Sequence, residues 1–380
     1  MNPDLLSTSL LAACLFSCAT AEQAAAPAAD SPASNSESAP PIAGALAVDA
    51  LIRPGEKHFA RLWRLSWDGE NAEAYWNPAG NRLVFQRRWE GVDCDRIFIT
   101  GAPETRGPGL AQLSSGLGTT TCSYFMPSGA AVLFGSTQAK HTKCPPKPDM
   151  SQGYGWAIYP QYDIYIQDLE SGSERVLIGG EGYDAEATVS PRGDRIVFTS
   201  TRTGDLELWT ADIDGGDLRQ VTKDLGYDGG AFFSHDGEWL VFRTTLFDES
   251  DLEAEQKRYR ELLASNLVRP HSMEIMLIRP DGSERRQVTH LGQANWAPYF
   301  FPGDDRILFS TNHHSSGSGP MNFDLFAIDT SGENLERITY EDSFDSFPMF
   351  SPDGRYLAFS SNRGGAKAGD TNLFIAEWKN

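Results

Sequence analysis

No stretch of eighteen consecutive apolar residues occurs among the 380 residues, so the chain holds nothing with the length of a bilayer-crossing helix. Basic residues are scarce: 32 Lys and Arg stand against 52 Asp and Glu, for a net charge of -20. That balance argues against nucleic acid, whose phosphates would repel the chain, and against anionic lipid surfaces. A Gly-x-Ser-x-Gly elbow is also missing, which removes the strand-turn-helix that presents a serine nucleophile. Cysteine is sparse, with five in all.

What the chain has in abundance is one phrase. "FSPDGRYLAFSS" from Phe350 recurs as "WNPAGNRLVFQR" from Trp76, "FMPSGAAVLFGS" from Phe125, "VSPRGDRIVFTS" from Val189, "FSHDGEWLVFRT" from Phe233 and "FFPGDDRILFST" from Phe300. Proline sets φ for the first corner of a turn, Asp and Gly suit the following corners, and an apolar strand comes next. Each copy leads to a second phrase, such as "DLFAIDTSGENLERITY" from Asp324, which has the form of a hairpin around a Gly-containing turn. A unit therefore reads as strand a, the Pro-x-Gly turn, strand b, a variable loop, strand c, a tight turn and strand d. A period near 45 residues with four short strands per unit predicts an all-β, six-bladed β-propeller.

The last unit ends after strand c ("NLFIAEW", 372–378), while "LWRLSW" near Arg61–Trp67 sits ahead of the first unit where a strand d is due. This N-terminal strand is expected to close the last blade, because an open ring would expose unpaired edges. Residues 46–380 then form one propeller domain.

The start of the chain resembles a bacterial lipoprotein export signal over residues 1–18, with Cys18 as the lipidated residue and Cys14 as the alternative. Residues 19–45 are Ala, Pro and Ser with almost no bulky side chains, the composition of a disordered tether. The protein is expected in the periplasm or at the outer membrane, held to the membrane through lipid alone. In such a compartment a disulfide can form, and Cys122–Cys144 is the expected pair, since both fall at the same end of blade two; Cys94 reads as a buried thiol.

Chain direction sorts the loops. The a–b and c–d turns are short and stereotyped, and the b–c and d–a connections on the opposite face carry everything irregular. Two insertions stand out there. One (136–162) holds Tyr154, Trp156 and Tyr159; the other (244–273) holds a predicted helix, with Ser250 and Glu253 as a capping box and Leu252, Tyr259, Leu262 and Leu263 as its apolar stripe. The d–a connections bring Glu73, Asp184, Glu186, Asp228 and Asp345 toward the channel mouth, where they would hold a cation or cap a positively charged side chain or peptide amine. Arg202 and Arg363, in b–c loops, would either pair with these carboxylates or contribute to the same site with Trp156. His290, His313 and His314 fall on the same face as metal-ligand candidates.

The phrases "SPDGRYLAFSS" and "LFAIDTSGENLERIT" resemble the TolB-type, WD40-like propeller repeat over nearly all of residues 58–380. That resemblance implies the fold firmly and the function loosely, because the repeat is shared by periplasmic scaffold proteins, propeller domains of prolyl oligopeptidase-like peptidases and sugar-acid lyases. The peptidase reading lacks its nucleophile elbow, and after blade six the sequence leaves no room for a hydrolase domain. TolB carries a folded α/β domain ahead of its propeller, where this chain has fewer than sixty mostly low-complexity residues. The expectation is a monomeric binding or scaffold propeller for an envelope protein, peptide or glycan. The alternative is an oligogalacturonate-lyase-like enzyme using His290, His313 and His314 to hold a divalent cation.

Overall fold

The computed structural model describes residues 39–101, 109–149, 151, 154–315, 322–367 and 369–379. Its inner strands are Glu70–Trp76, Thr120–Phe125, Asp184–Val189, Gly229–Phe233, Asn295–Phe300 and Asp345–Phe350. Each leads an antiparallel sheet, and neighbouring inner strands touch all the way round the ring, the last against the first. This is a six-bladed β-propeller.

The repeated phrase does its structural work in strand b. Phe85, Phe134, Phe198, Phe242, Phe309 and Phe359 occupy the same place in six successive blades, and all are fully buried. Burying one such side chain contributes about 1.5–3 kcal/mol, so the six copies form a distributed core between blades. The turns lock together too. Gly129 (φ 68°) packs on Pro78, and Gly193 (φ 71°) on Pro127; Gly80 and Gly354 likewise face Pro352 and Pro302, so in four of the turns a left-handed glycine rests against the proline of the blade before. A side chain at any of these glycines would be strained by the backbone.

The ring is closed by Phe59–Arg64, which pairs antiparallel with Asn372–Trp378 in the register Leu62↔Ala376 and Trp63↔Ile375. The strand begins two residues ahead of the expected Arg61 and ends three short of Trp67, which is 38% exposed. Leu46–Ala47 adds a short fifth strand outside it. Of the expected tether, only residues 39–45 are among those described. Within them Ile42 and Ala45 are buried in the core, so packed structure starts before residue 46. The proposed export signal, Cys14 and Cys18 lie outside the described residues.

The second insertion forms the expected helix, Leu252–Ala264, but not the expected cap. Asp248 instead accepts a hydrogen bond from the Ser250 backbone in a preceding 3-10 turn, and Asp251 occupies the cap position without capping the helix, its carboxylate pairing with Arg258 at 3.0 Å. Tyr259 is buried, while Leu252 is 42% exposed. Among the described residues no helix is long and apolar enough to cross a membrane.

The expected Cys122–Cys144 bridge is not the one formed. Cys144 is bonded to Cys94, with Cα atoms 5.7 Å apart, and Cys122 is free. The first insertion swings back over blade one, where Lys147 also reaches Asp93 at 3.9 Å, whereas a bulge in its own strand draws Cys122 toward the channel. The bridge spans 50 residues of sequence, so Cys144→Ser is expected to lower stability by about 2–4 kcal/mol. Non-reducing peptide mapping of the protein purified under oxidising conditions should recover the Cys94–Cys144 peptide; a Cys122–Cys144 peptide would contradict this connectivity.

Candidate functional site

Every inner strand loses register once, at the same place: between Ala72 and Tyr75, Thr121 and Tyr124, Ala185 and Thr188, Gly229 and Phe232, Trp296 and Tyr299, and Ser346 and Met349. The first extra residue at each break has a left-handed backbone: Glu73 (φ 56°), Cys122 (48°), Glu186 (59°), Gly230 (59°), Ala297 (49°) and Phe347 (55°). Five of the six are not glycine, and each such residue costs about 1–3 kcal/mol of strain. A bulge re-aims the side chain it carries, and all six residues line one central cavity of about 650 Å³.

Two residues further along, Tyr75, Tyr124, Phe232 and Tyr299 meet across the channel, with ring centroids 5.3–6.0 Å apart. Tyr75 and Phe232 belong to opposite blades, so these rings form a floor. The first insertion supplies the roof. Its Trp156–Ala157 pairs with Leu267–Val268 of the second insertion, and Pro145, Lys147 and Tyr154 face the cavity with Trp156. Both irregular loops therefore meet over the same opening.

One wall of the cavity is aromatic. Trp296 lies 5.1 Å from both Trp156 and Phe347 and 6.1 Å from Phe344, centroid to centroid. The other wall is charged. Glu186 accepts hydrogen bonds from Arg243 Nη2 (2.8 Å), the Gly230 amide (2.7 Å), Thr199 Oγ1 (2.9 Å) and the Tyr227 hydroxyl. Arg243 also lies over the Trp156 and Tyr227 rings, 5.0 and 4.6 Å from their centroids. A Cβ at Gly230 would collide with its guanidinium, so this corner of the ring has to be glycine. Burial pushes the Glu186 carboxyl up, but Arg243 and the hydrogen bonds outweigh it and hold the group below its ordinary value.

Charge accounting separates the remaining acids. Three cations line the cavity, and each already has a carboxylate: Arg88 with Glu70 at 2.5 Å, Lys147 with Asp93 at 3.9 Å, and Arg243 with Glu186 at 2.8 Å. Glu73 and Asp95 are left over, with no ion-pair partner among the described residues. Burial pushes Glu73 up to about 7, with Glu186 adding to the shift and the Cys122 thiol and Arg243 opposing it. Burial likewise pushes Asp95 up to about 6, against the pull of Arg88.

An acid whose folded value lies above its unfolded value of 4.5 binds more protons folded than unfolded. Stability therefore falls as pH rises from about 4.5 to about 7, and the penalty is fully present above that window. Glu73→Gln is accordingly expected to stabilise the protein at pH 8, by about 3 kcal/mol at most, and to leave it nearly unchanged at pH 4.5. Urea melts at the two pH values check this; equal effects at both would show that Glu73 is not held against its own ionisation.

Of the residues expected from sequence, the cavity gathers Glu73, Glu186 and Trp156. Asp184, Asp228 and Asp345 sit at strand entries outside it, nearly or fully buried and paired with Arg202 (2.7 Å), Arg285 (3.3 Å) and Arg363 (2.9 Å). They brace blades instead of joining a common carboxylate ring, and Arg202 and Arg363 are occupied by them. Arg363, fully buried, also holds Glu56 from ahead of the closing strand at 2.9 Å. The histidines do not converge. His290 is exposed, while His313 and His314 flank Phe326, and His314 Nε2 lies 2.8 Å from Asp324. Among the described residues no three His, Cys, Asp or Glu side chains are grouped closely enough to hold a metal ion together.

Sequence reasoning missed Arg243, Asp95 and Tyr227. A signal for Arg243 existed: the residue after the strand-b phenylalanine is Gln, Gly, Thr, Ser and Ser in the other five blades, and only blade four puts a charge there.

No protein-family profile matches the sequence. An uncharacterized protein of Agrobacterium fabrum is 24% identical over 208 residues, which are 52% of this chain and 46% of that protein. The chain thus spans just under half the length of that curated relative. Among solved structures, TolB from Acinetobacter baumannii superposes with a TM-score of 0.51 at 18% identity, covering 82% of this chain and 65% of TolB. A protein assigned as TolB from Agrobacterium tumefaciens gives 0.51 at 17%, covering 82% and 91%. An oligogalacturonate lyase in complex with manganese gives 0.50 at 13%, covering 88% and 97%. At these identities the likeness is one of fold: the chain has the six-bladed architecture of TolB-type propellers.

Proposed function

We propose that this protein is an exported, membrane-tethered binding module whose blades are rigid scaffold and whose central cavity receives part of an envelope protein, peptide or glycan. The observation that carries this reading is the meeting of both insertions over one floored cavity of about 650 Å³, a volume in the range of ligand sites. Rigid blades present such a site with little ordering cost on binding. Export is supported by the Cys94–Cys144 bridge, which suits an oxidising compartment, and by the lipoprotein-like start of the sequence. The lyase reading draws less support, because the manganese belongs to that other protein, none of the three histidines lines the cavity, and among the described residues they form no group that could hold a cation.

Capture from envelope extract tests the reading. Three versions of the protein are compared: unaltered, Glu73→Gln with Trp156→Ala in the cavity, and Asp214→Asn, Asp281→Asn and Asp353→Asn on the turn face. The cavity pair is expected to reduce recovery of the captured component at least tenfold while the turn-face set leaves it intact. The reverse pattern in folded proteins would place function on the other side of the ring.

A further inference from the structure

The cavity combines features that select a ligand by charge as well as by size. Its three cations are each paired with another carboxylate, so Glu73 and Asp95 leave the lining with an excess of acid, Asp95 feeling the pull of Arg88, Arg96 and Lys147 without an ion pair of its own among the described residues. Glu73 lines the cavity, and the side-chain hydrogen bond that bears on its carboxyl comes from the Cys122 thiol, a weak donor that cannot neutralise it. Beside the acids stands the aromatic wall of Trp156, Trp296, Phe344 and Phe347, which can hold an apolar group and whose faces attract cations. A third feature is independent of the acids. Trp296 is only 7% exposed, and its indole N–H has no acceptor among the described residues; Arg243, also 7% exposed, has an Nε–H without one there. Buried donors without partners are costly, so a ligand that fits must bring an acceptor such as an amide carbonyl.

A metal ion would answer the acids but neither the orphaned donors nor the aromatic wall. A sugar would satisfy the donors and leave Glu73 and Asp95 buried without a counter-charge. A protonated amine attached to an apolar residue, with an amide carbonyl a few bonds away, answers all three.

We infer that the cavity binds a peptide through an aliphatic ammonium group set against Glu73 and Asp95, with the adjoining apolar residue on the aromatic wall and a backbone carbonyl facing Trp296 and Arg243. This rests on the reading of the cavity as the binding site and adds the chemistry of what enters it. The ammonium group has two sources, a chain N-terminus or a lysine side chain.

Calorimetric titration of the full chain at pH 7 tests the inference with small probes. H-Phe-Ala-NH2 carries an α-ammonium, Nα-acetyl-lysine methylamide carries an ε-ammonium, and Ac-Phe-Ala-NH2 keeps the shape of the first without its charge. At least one ammonium probe is expected to bind tenfold or more tightly than the acetylated dipeptide. Whichever binds more tightly identifies the source. Glu73→Gln should lose at least tenfold in that affinity while remaining folded, and binding to the unaltered protein should tighten as pH rises from 5.5 to 7 and Glu73 ionises. Equal affinity for Ac-Phe-Ala-NH2 would overturn the ammonium assignment and leave the cavity as a binding site. Displacement of the ammonium probe by micromolar Mn2+ would overturn it in favour of a metal. If no probe binds at millimolar concentration while the Glu73→Gln, Trp156→Ala protein still loses envelope capture, the ligand chemistry is wrong and the site is right.

Discussion

Replacing Arg243 with methionine is expected to cost about 3–5 kcal/mol of stability, more than loss of its apolar stem would explain. Among the described residues the guanidinium is the only cation paired with Glu186, and both side chains are about nine-tenths buried. Removing it leaves a carboxylate that still accepts from Tyr227, Thr199 and the Gly230 amide but no longer faces a positive charge. In the unaltered protein Arg243 holds Glu186 below its ordinary value; in the variant burial prevails and raises it. The folded variant then binds more protons than the unfolded chain, so its stability should fall as pH rises above the ordinary glutamate range. Urea melts should therefore show a larger deficit at pH 8 than at pH 4.5. Adding Glu186→Gln to Arg243→Met removes the charge left behind and should recover more than half of the loss. If the double variant is as unstable as the sum of the two single changes, the pair is not coupled, and the charged wall of the cavity has been misread.

The contrast between Glu186 and Glu73 marks where sequence reasoning stopped. Both were legible as carboxylates at a d–a connection, because the repeat fixes the start of every inner strand. Their different fates turn on Arg243, which reaches the cavity from strand b of the neighbouring blade, and no spacing along the chain announces that contact. Asp184 and Asp345 were expected at the mouth on the same grounds, yet each stands two residues ahead of the bulge and is taken by Arg202 or Arg363. The bulge was hidden because glycine, its usual marker, occupies the left-handed position in one blade of six, at Gly230. Cys122 was misassigned for the same cause: ordinary alternation does not send its side chain toward Glu73, and the bulge does. The fold was readable because it depends on features that do repeat. The Pro-x-Gly turn and the strand-b phenylalanine recur in or near every copy, and each specifies the same local geometry wherever it falls.

The largest effect of all is expected from the closing strand. A chain beginning at residue 68 lacks Phe59, Leu62, Trp63 and Leu65, which are 3%, 0%, 1% and 0% exposed in the intact ring. At about 1.5–3 kcal/mol each, their burial contributes about 6–12 kcal/mol, comparable with the whole net stability of a typical domain, about 5–15 kcal/mol. Two further losses accompany it. Asn372–Trp378 becomes an open sheet edge, and Arg363 keeps Asp345 but loses Glu56, which receives both of its terminal nitrogens at 2.9 and 3.1 Å. The shortened chain is expected to lose its cooperative thermal transition and to aggregate. A chain beginning at residue 39 keeps every one of these contacts and should melt like the full-length protein. Adding a synthetic peptide of residues 39–68 to the shortened chain during refolding should restore the transition, because the blade needs the strand and not its covalent connection. A cooperative melt from the chain beginning at residue 68, within a few degrees of full length, would show that the ring holds without this strand.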